Sequence, residues 1–188
     1  MRSLSLAGVL ALSAGACSSD PAPVLLDASP TPDADNLTRC LVPADYGALG
    51  AKPGIPDLTT PNSLTVVLDP GPPRDDFFVN LIPGKGAFAG GALKTGTFTI
   101  SGADASFTDC GLCTNLIADI DPVKGPAKFY YPVSGTVTLT SATASSSTGP
   151  SMIAGSAQDL RFVEIDFTTG MPVMGGCVST IASISFSP

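Results

Sequence analysis

Histidine is absent from this sequence of 188 residues. Without an imidazole, the chain cannot build a Ser-His-Asp or Cys-His nucleophile, a histidine-ligated zinc hydrolase, or the commonest general base near neutral pH. A hydrolase that uses two facing carboxylates needs no histidine, but nothing in the sequence singles out such a pair among the 15 Asp residues. We therefore expect a non-enzymatic protein, and a carboxylate-based surface hydrolase is the alternative.

Tryptophan is also absent, which removes the usual aromatic platform for a glycan. The remaining candidates for glycan contact are Tyr130 and Tyr46. Because side chains alternate along a strand, Tyr130 should face away from its neighbours Phe129 and Tyr131, and it could then be exposed while they pack in the core. Tyr46 is a separate candidate in a loop. Ordinary packing of both tyrosines is the alternative.

Basic residues are few, and they set the charge of the chain. Nine Lys and Arg residues stand against 16 acidic residues, of which Glu164 is the only Glu. This negative balance argues against nucleic acid and against electrostatic adhesion to anionic lipid headgroups. Good helix formers are also scarce, whereas Thr, Ser, Val, Gly and Pro are abundant, so we expect strands joined by tight turns and no long helix.

Apolar and polar residues alternate with a period of two in many short segments. Clear examples are Leu64–Asp69, Phe77–Ile82 and Thr136–Thr140. Eight or nine short strands with turn signals between them predict an all-β, single-domain, antiparallel β-sandwich of jelly-roll or immunoglobulin-like type. A β-barrel is the alternative.

The first residues have the pattern of a bacterial lipoprotein signal. Arg2 precedes an apolar run of 13 residues, 4–16, which is too short to cross a bilayer and ends in small residues directly before Cys17. We predict cleavage after residue 16 and lipid attachment at Cys17. Ala14 and Ala16 also satisfy the rule for ordinary secretory cleavage, so a secreted or periplasmic protein is the alternative.

A stretch rich in Pro and Asp follows the lipid-attachment cysteine. Residues 17–36 hold four prolines and four aspartates, a composition that buries too little apolar surface to fold. We interpret these residues as a disordered tether and residues 37–188 as the β-domain. Within the tether, Val24–Leu26 is the one apolar patch. Ser18 and Ser19, with no acid immediately after Cys17, favour sorting to the outer membrane, where the domain could be exposed on the cell surface.

Four further cysteines, Cys40, Cys110, Cys113 and Cys177, form an even set. In an oxidising compartment such a set predicts two disulfides, and the spacing does not choose among three connectivities. Cys110 and Cys113 can pair only if Gly111 permits a turn, because cysteines three apart in an extended strand are too distant. A four-thiolate zinc site and a redox dithiol are the alternatives.

Calcium is the one metal that the acidic residues suggest. Asp119 and Asp121 are two apart in a predicted turn, and Asp75 and Asp76 are adjacent in another. Ca²⁺ binds six to eight oxygens in loops of this kind, whereas Asp near Pro or Gly is also ordinary turn chemistry. We therefore expect no cofactor and retain a calcium- or glycan-dependent adhesion module as an alternative function.

Five segments of the second half resemble a group of predicted bacterial lipoproteins of unknown function. They are the pair Cys110 and Cys113, Gly135–Ser141, Leu160–Asp166, the pair Gly176 and Cys177, and the final segment Ile181–Phe186. The resemblance covers about residues 96–188. It implies an exported β-domain with structural cysteines, and it implies no catalytic or binding residue. The partner that we expect besides the membrane is an unidentified protein or polysaccharide.

Overall fold

The computed structural model describes residues 45–147 and 149–188. The predicted signal segment 1–16, the tether 17–36, and with them Cys17 and Cys40, lie outside these residues. The described part forms eight strands and two short 3-10 turns, Gly86–Phe88 and Gly102–Ala105. The strands are β1 (Ala48–Pro56), β2 (Ser63–Asp69), β3 (Arg74–Leu81), β4 (Gly96–Thr99), β5 (Leu112–Asp121), β6 (Gly125–Thr143), β7 (Met152–Ile165) and β8 (Val178–Ser187).

The strands form one sheet that closes on itself. Their order is β4-β6-β5-β3-β2-β1-β8-β7, and a further pairing of β6 with β7 completes the ring. Seven strands therefore make a closed barrel, and β4 pairs with β6 as an extra strand. All pairings are antiparallel except that of β1 with β8, which is parallel.

The all-β prediction is confirmed, and the closed ring fits the barrel alternative rather than the sandwich. A sandwich requires two sheets that pack face to face, whereas here β6 and β7 join the two ends of a single sheet. The parallel pairing of β1 and β8 also makes the sheet mixed instead of wholly antiparallel. Within the described residues there is no α-helix, and no helix there could span a membrane.

Alternation along the strands fills the barrel with apolar side chains. In β2, Leu64, Val66 and Leu68 are buried, and β3 continues the same layer with Phe77 and Val79. The register places Leu64 beside Val79 and Val66 beside Phe77, so these side chains pack as neighbours on one face. Burial of such a continuous core is the main force that holds the sheet closed.

Strand β6 is the longest, and it bends at Gly135. Its first part pairs with β5 and its later part pairs with β4, while β7 follows it along almost its whole length. The register shifts on both sides of Ser134. Gly135 has a φ of 131°, and a Cβ there would stand 2.7 Å from Leu160 Cδ2. Only glycine therefore permits the close approach of β6 and β7 at the bend.

A second, smaller apolar cluster lies outside the barrel, around the disulfide between Cys110 and Cys113. Their Cα atoms are 5.3 Å apart, and both side chains are buried with Tyr131 and Ile165. The pair closes because β5 begins only at Leu112, so the backbone bends at Gly111 instead of running extended. Burial against aromatic side chains fits a structural disulfide rather than an accessible redox pair.

Candidate functional site

One end of the barrel gathers most of the residues that the sequence suggested for function. The turn between β2 and β3, the turn between β5 and β6, and the loop between β7 and β8 all lie there. The register shows this, because the start of β3 pairs with the end of β5 and the start of β6 pairs with the end of β7. The described chain also enters there, because Asp45 forms a parallel bridge with Thr180 at the start of β8. We call this the entry end.

A β-bulge at the entry end brings Asp75 and Asp119 together. Arg74 pairs with Ile120 and Asp76 pairs with Ile117, so two residues of β5 stand opposite Asp75 alone. Asp119 takes a φ of 54° in this bulge. Its backbone N–H donates to Asp75 Oδ1 over 2.9 Å, and its own Oδ2 is buried with no hydrogen-bond partner.

The two candidate tyrosines reach the same place. The Tyr46 hydroxyl donates to Asp75 Oδ2 over 2.8 Å, which ties the entering chain to β3. Tyr130 is only 1 % exposed, so it packs inside the barrel rather than forming a surface platform. The tyrosines were candidates for glycan contact and the aspartates for calcium, with ordinary packing and turn chemistry as the alternatives. The structure brings Tyr46, Tyr130, Asp75 and Asp119 into one cluster.

Lys128 and Glu164 complete this cluster, although no motif in the sequence suggested a role for them. The Lys128 Nζ atom lies 3.9 Å from Glu164 Oε2 and donates to Cys177 Sγ over 3.0 Å. Glu164 Oε2 also accepts the backbone N–H of Cys177 over 2.8 Å. We call the six side chains of Tyr46, Asp75, Asp119, Lys128, Tyr130 and Glu164 the buried carboxyl cluster.

Burial raises the pKa of three groups in this cluster, Asp119, Tyr46 and Tyr130. Desolvation raises the pKa of Asp119, and the neighbouring Asp75 raises it further, while Lys128 acts in the opposite direction. Desolvation also raises the pKa of Tyr130, with a further contribution from Glu164. The pKa of Tyr46 is raised by burial and by its bond to Asp75, so its hydroxyl stays protonated and donates.

The geometry limits what these carboxyl groups can do. Asp75 is 5 % exposed and Asp119 is 8 % exposed, and both oxygens of Asp75 accept bonds from groups of the protein itself. A hydrolase needs an acid and a base that touch the substrate on both sides of the scissile bond. Because both side chains are buried, the cluster offers neither carboxyl group to a bulky substrate.

The other two calcium candidates lie in different surroundings. Asp76 Oδ2 forms an ion pair with the Arg74 Nη2 atom over 2.6 Å, and burial raises the pKa of Asp76. Asp121 is partly exposed, and its Oδ1 accepts the N–H groups of Lys124 and Val123 in the turn, which lowers its pKa. Across residues 45–147 and 149–188, no three Cys, Asp or Glu side chains are arranged to hold a metal ion.

An open groove runs beside the cluster at the entry end. It has a volume of about 380 Å³, and its lining is mostly apolar: Pro70, Gly71, Pro72, Arg74, Ile120 and Pro122. Arg74 and Ile120 directly neighbour Asp75 and Asp119 in sequence and pair with each other in the sheet. The volume lies within the range of about 300–1,000 Å³ that is usual for ligand sites.

Asp104 connects the loops next to the disulfide, and no feature of the sequence pointed to this role. Its Oδ1 atom accepts three backbone N–H groups, from Ala87 at 3.1 Å, Gly111 at 2.8 Å and Leu112 at 2.9 Å. Its backbone carbonyl accepts the Tyr131 hydroxyl over 3.0 Å. Nothing distinguishes Asp104 from other loop aspartates in sequence, because its partners come from three separate segments.

Glu164, in contrast, carried a signal that could have been found. It is the only Glu of the chain, and it continues the alternation of Leu160 and Phe162, both of which are buried in the barrel. A single carboxylate in phase with a core face predicts a buried, partnered acid. Cys177 is disulfide-bonded, whereas Cys17 and Cys40 lie outside the described residues.

Comparison with known proteins gives no match: no family model, no curated protein and no solved structure is similar to this chain.

Proposed function

We propose that this chain is an exported bacterial lipoprotein anchored in the outer membrane. Its barrel has a non-enzymatic binding or structural role at the cell envelope. The signal pattern before Cys17 and the Pro/Asp tether support export and anchoring. A secreted or periplasmic protein is the alternative location.

The burial of Asp75 and Asp119 is the observation that carries the non-enzymatic role. These are the two acids that the fold brings together, and both are almost inaccessible. A surface hydrolase would expose such a pair in a cleft, and a calcium-dependent adhesin would use the oxygens for the ion. Here Asp75 instead accepts bonds from Tyr46 and Asp119, which serves to fix the entering chain and the bulge.

We assign the binding role to the proline-lined groove. Its walls are mostly apolar, and Arg74, whose side chain is half exposed and pairs with the buried Asp76, is one of the residues that line it. These features suit an apolar group that carries an acidic substituent. The partner class that follows is an amphiphilic acid, presented by a protein, a polysaccharide or a lipid of the envelope.

The anchor is tested by mass spectrometry of the full chain produced in a Gram-negative host. We expect a mature protein that begins at Cys17 and carries acyl groups, and that partitions into detergent. The Cys17→Ser variant should be soluble and without acyl groups. An unmodified mature N-terminus in the unaltered chain would refute the anchor.

The binding role is tested by titrating the isotopically labelled protein with decanoate and, as a control, with decanol. Decanoate should shift the amide resonances of Gly71, Arg74, Ile120 and Asp121, the groove residues and a neighbour that carry a backbone N–H. Decanol should shift them less because it offers no charge to Arg74. An equal effect of both compounds, or shifts elsewhere, would contradict the assignment. Hydrolysis of an envelope substrate that Asp75→Asn abolishes would instead establish the hydrolase.

A further inference from the structure

The sulfur of Cys177 lies beside a positive charge. Cys177 is disulfide-bonded, it is 6 % exposed, and the Lys128 Nζ atom approaches its Sγ to 3.0 Å. Glu164 holds the backbone of Cys177 from both sides. The Cys177 N–H donates to Glu164 Oε2 over 2.8 Å, and the Glu164 N–H donates to the Cys177 carbonyl over 2.9 Å. Because Lys128 lies in β6 and Glu164 in β7, the paired strands fix the ammonium against the sulfur.

The two sulfurs of the other disulfide have the opposite surroundings. Cys110 Sγ lies 3.8 Å from the Phe107 carbonyl oxygen, and Cys113 Sγ lies 3.3 Å from the Cys110 carbonyl oxygen. Both cysteines are buried in the apolar cluster around Tyr131. Carbonyl oxygens and apolar burial disfavour a thiolate, whereas an adjacent ammonium stabilises one. The chain therefore contains two disulfides whose reduced forms differ in electrostatic environment.

The balance of charges at Cys177 favours the thiolate. The titratable groups around the contact are those of the buried carboxyl cluster. Glu164 Oε2 lies 3.9 Å from Lys128 Nζ, and the Asp119 carboxyl also interacts with Lys128, so both carboxyl groups act against a further negative charge. The ammonium, however, contacts the sulfur directly, while Glu164 is engaged by Lys128 and by the Cys177 N–H. We expect the attraction to prevail.

We propose that Cys177 is a redox site, whose disulfide a dithiol reduces while the bond between Cys110 and Cys113 stays closed. Two electrons pass from the dithiol to the disulfide, and the S–S bond breaks. Cys177 leaves as a thiolate paired with Lys128, the partner cysteine takes one proton, and a second proton goes to the solvent. The reductant closes to a cyclic disulfide. That this dithiol belongs to the cell envelope rests on the proposed export.

Reduction changes the charge of the entry end. Cys177 directly precedes β8, whose residue Thr180 pairs with Asp45 and accepts the Tyr46 N–H over 2.9 Å. A thiolate at Cys177 adds a negative charge beside Lys128 and competes with Glu164 for the ammonium. The redox state of Cys177 thereby alters the electrostatics of the buried carboxyl cluster, which holds the entering chain.

The exchange equilibrium with reduced and oxidised dithiothreitol tests this proposal in the full mature chain. Samples equilibrated at pH 6, 7 and 8 are quenched with acid and alkylated under denaturing conditions, and mass spectrometry then gives the reduced fraction of each cysteine. Because formation of the thiolate releases a proton, the exchange constant of the Cys177 disulfide should rise about tenfold from pH 6 to pH 8. The constant of the Cys110–Cys113 bond should change less than about twofold, as for ordinary thiols. An equilibrium constant does not depend on how easily the reductant reaches a buried sulfur.

Three variants locate the cause of that rise. Lys128→Met keeps the aliphatic stem and should reduce the rise to less than about twofold, whereas Lys128→Arg keeps the charge and should retain most of it. Glu164→Gln removes the opposing charge and should raise the exchange constant at pH 7. Lys85→Met is the matched control and should change nothing, because the Lys85 Nζ atom donates to the Thr108 carbonyl instead of facing a sulfur.

A constant for Cys177 that stays flat from pH 6 to pH 8 in the unaltered chain would overturn the proposal, whether or not the variants fold. The same holds for a rise that persists in Lys128→Met, and for preferential reduction of the Cys110–Cys113 bond. Mapping of the oxidised chain also identifies the partner of Cys177. A bond to Cys17 would refute the lipid anchor, so failure of the proposed function is visible separately from failure of the redox site.

Discussion

Replacement of Asp104 tests how the loops outside the barrel are held. One oxygen of this buried side chain accepts the N–H groups of Ala87, Gly111 and Leu112, and so connects a 3-10 turn to the start of β5. Asp104→Ala removes the acceptor and leaves three donors without it, of which those of Gly111 and Leu112 are buried and that of Ala87 is partly buried. Asp104→Asn retains an oxygen that can accept but removes its charge.

The expected cost follows from those three bonds. A buried donor without a partner costs about 1–3 kcal/mol, and the bonds at Gly111 and Leu112 are fully buried. We therefore expect Asp104→Ala to lower the free energy of unfolding by about 4 kcal/mol. Asp104→Asn should cost about half as much, since hydrogen bonds to a charged acceptor are roughly twice as strong as neutral ones.

Urea unfolding followed by circular dichroism measures these differences directly, and thermal unfolding should show the Ala variant melting about 8–16 °C lower. Asp109→Asn is the matched control, because Asp109 is exposed and its Oδ2 accepts only the Ser106 hydroxyl. That control should stay within about 0.5 kcal/mol of the unaltered protein. If Asp104→Ala cost no more than Asp104→Asn, water would be replacing the carboxylate, and the argument from buried donors would fail.

Three further predictions concern the bulge, the close approach at the disulfide and the entering chain. The pKa of Asp119 is raised in the folded state, so its contribution to stability is complete below the unfolded pKa of about 3.9 and is lost as pH rises through the folded pKa. Asp119→Asn should therefore flatten the fall in unfolding free energy that urea titrations measure between pH 3.5 and 7. A variant that keeps the full fall would show that Asp119 does not cause it. Gly111→Ala would place a Cβ against the carbonyl oxygen of Lys85 and should lower the free energy of unfolding by at least about 2 kcal/mol. Gly90→Ala is the control and should be neutral, because there is open space around Gly90. Equal costs for the two variants would contradict the steric explanation. Tyr46→Phe removes the hydrogen bond to Asp75 and should lower the free energy of unfolding by about 1.5 kcal/mol in the same assay. The backbone amide of residue 46 should also exchange faster with solvent. Unchanged exchange would mean that other contacts hold the entering chain.

The strands were predictable because each has an inner and an outer face. The alternation in Leu64–Asp69 places β2 to within one residue, and the segment Thr136–Thr140 lies within β6. The alternation in Phe77–Ile82 finds most of β3, but that strand begins three residues earlier, at Arg74. Closure was not predictable, since a barrel and a sandwich both need one apolar face per strand. The deciding contacts join β6 to β7 along their whole length and β1 to β8 in parallel, and such pairings leave no local mark in the sequence.

Strand β1 was missed for a related physical reason. Its sequence from Ala48 to Pro56 contains two glycines and two prolines, residues that ordinarily mark turns. The strand forms because β2 and β8 flank it and supply the pairing, and a Cβ at Gly54 would collide with the Leu64 side chain. Tertiary contacts thus override a weak local preference, as is common for strands.

The bulge at Asp119 explains why the candidate site was predicted in two separate pieces. Strict alternation places Ala118 on the inner face and would turn Asp119 outwards, towards a calcium loop with Asp121. A single left-handed residue breaks that alternation, so that Asp119 is buried, donates its N–H to Asp75 and lies with Tyr46 and Tyr130. The same break separates Asp119 from Asp121, which remains in an exposed turn.

A backbone conformation that costs free energy is retained where the surrounding contacts offset it, and here those contacts fix the first described residues of the chain to the barrel. Restoring regular pairing in β5 by deleting Asp119 should therefore release Tyr46 before it disturbs the barrel core, and hydrogen exchange that instead rises uniformly over β2 and β3 would show that the bulge supports the core as a whole.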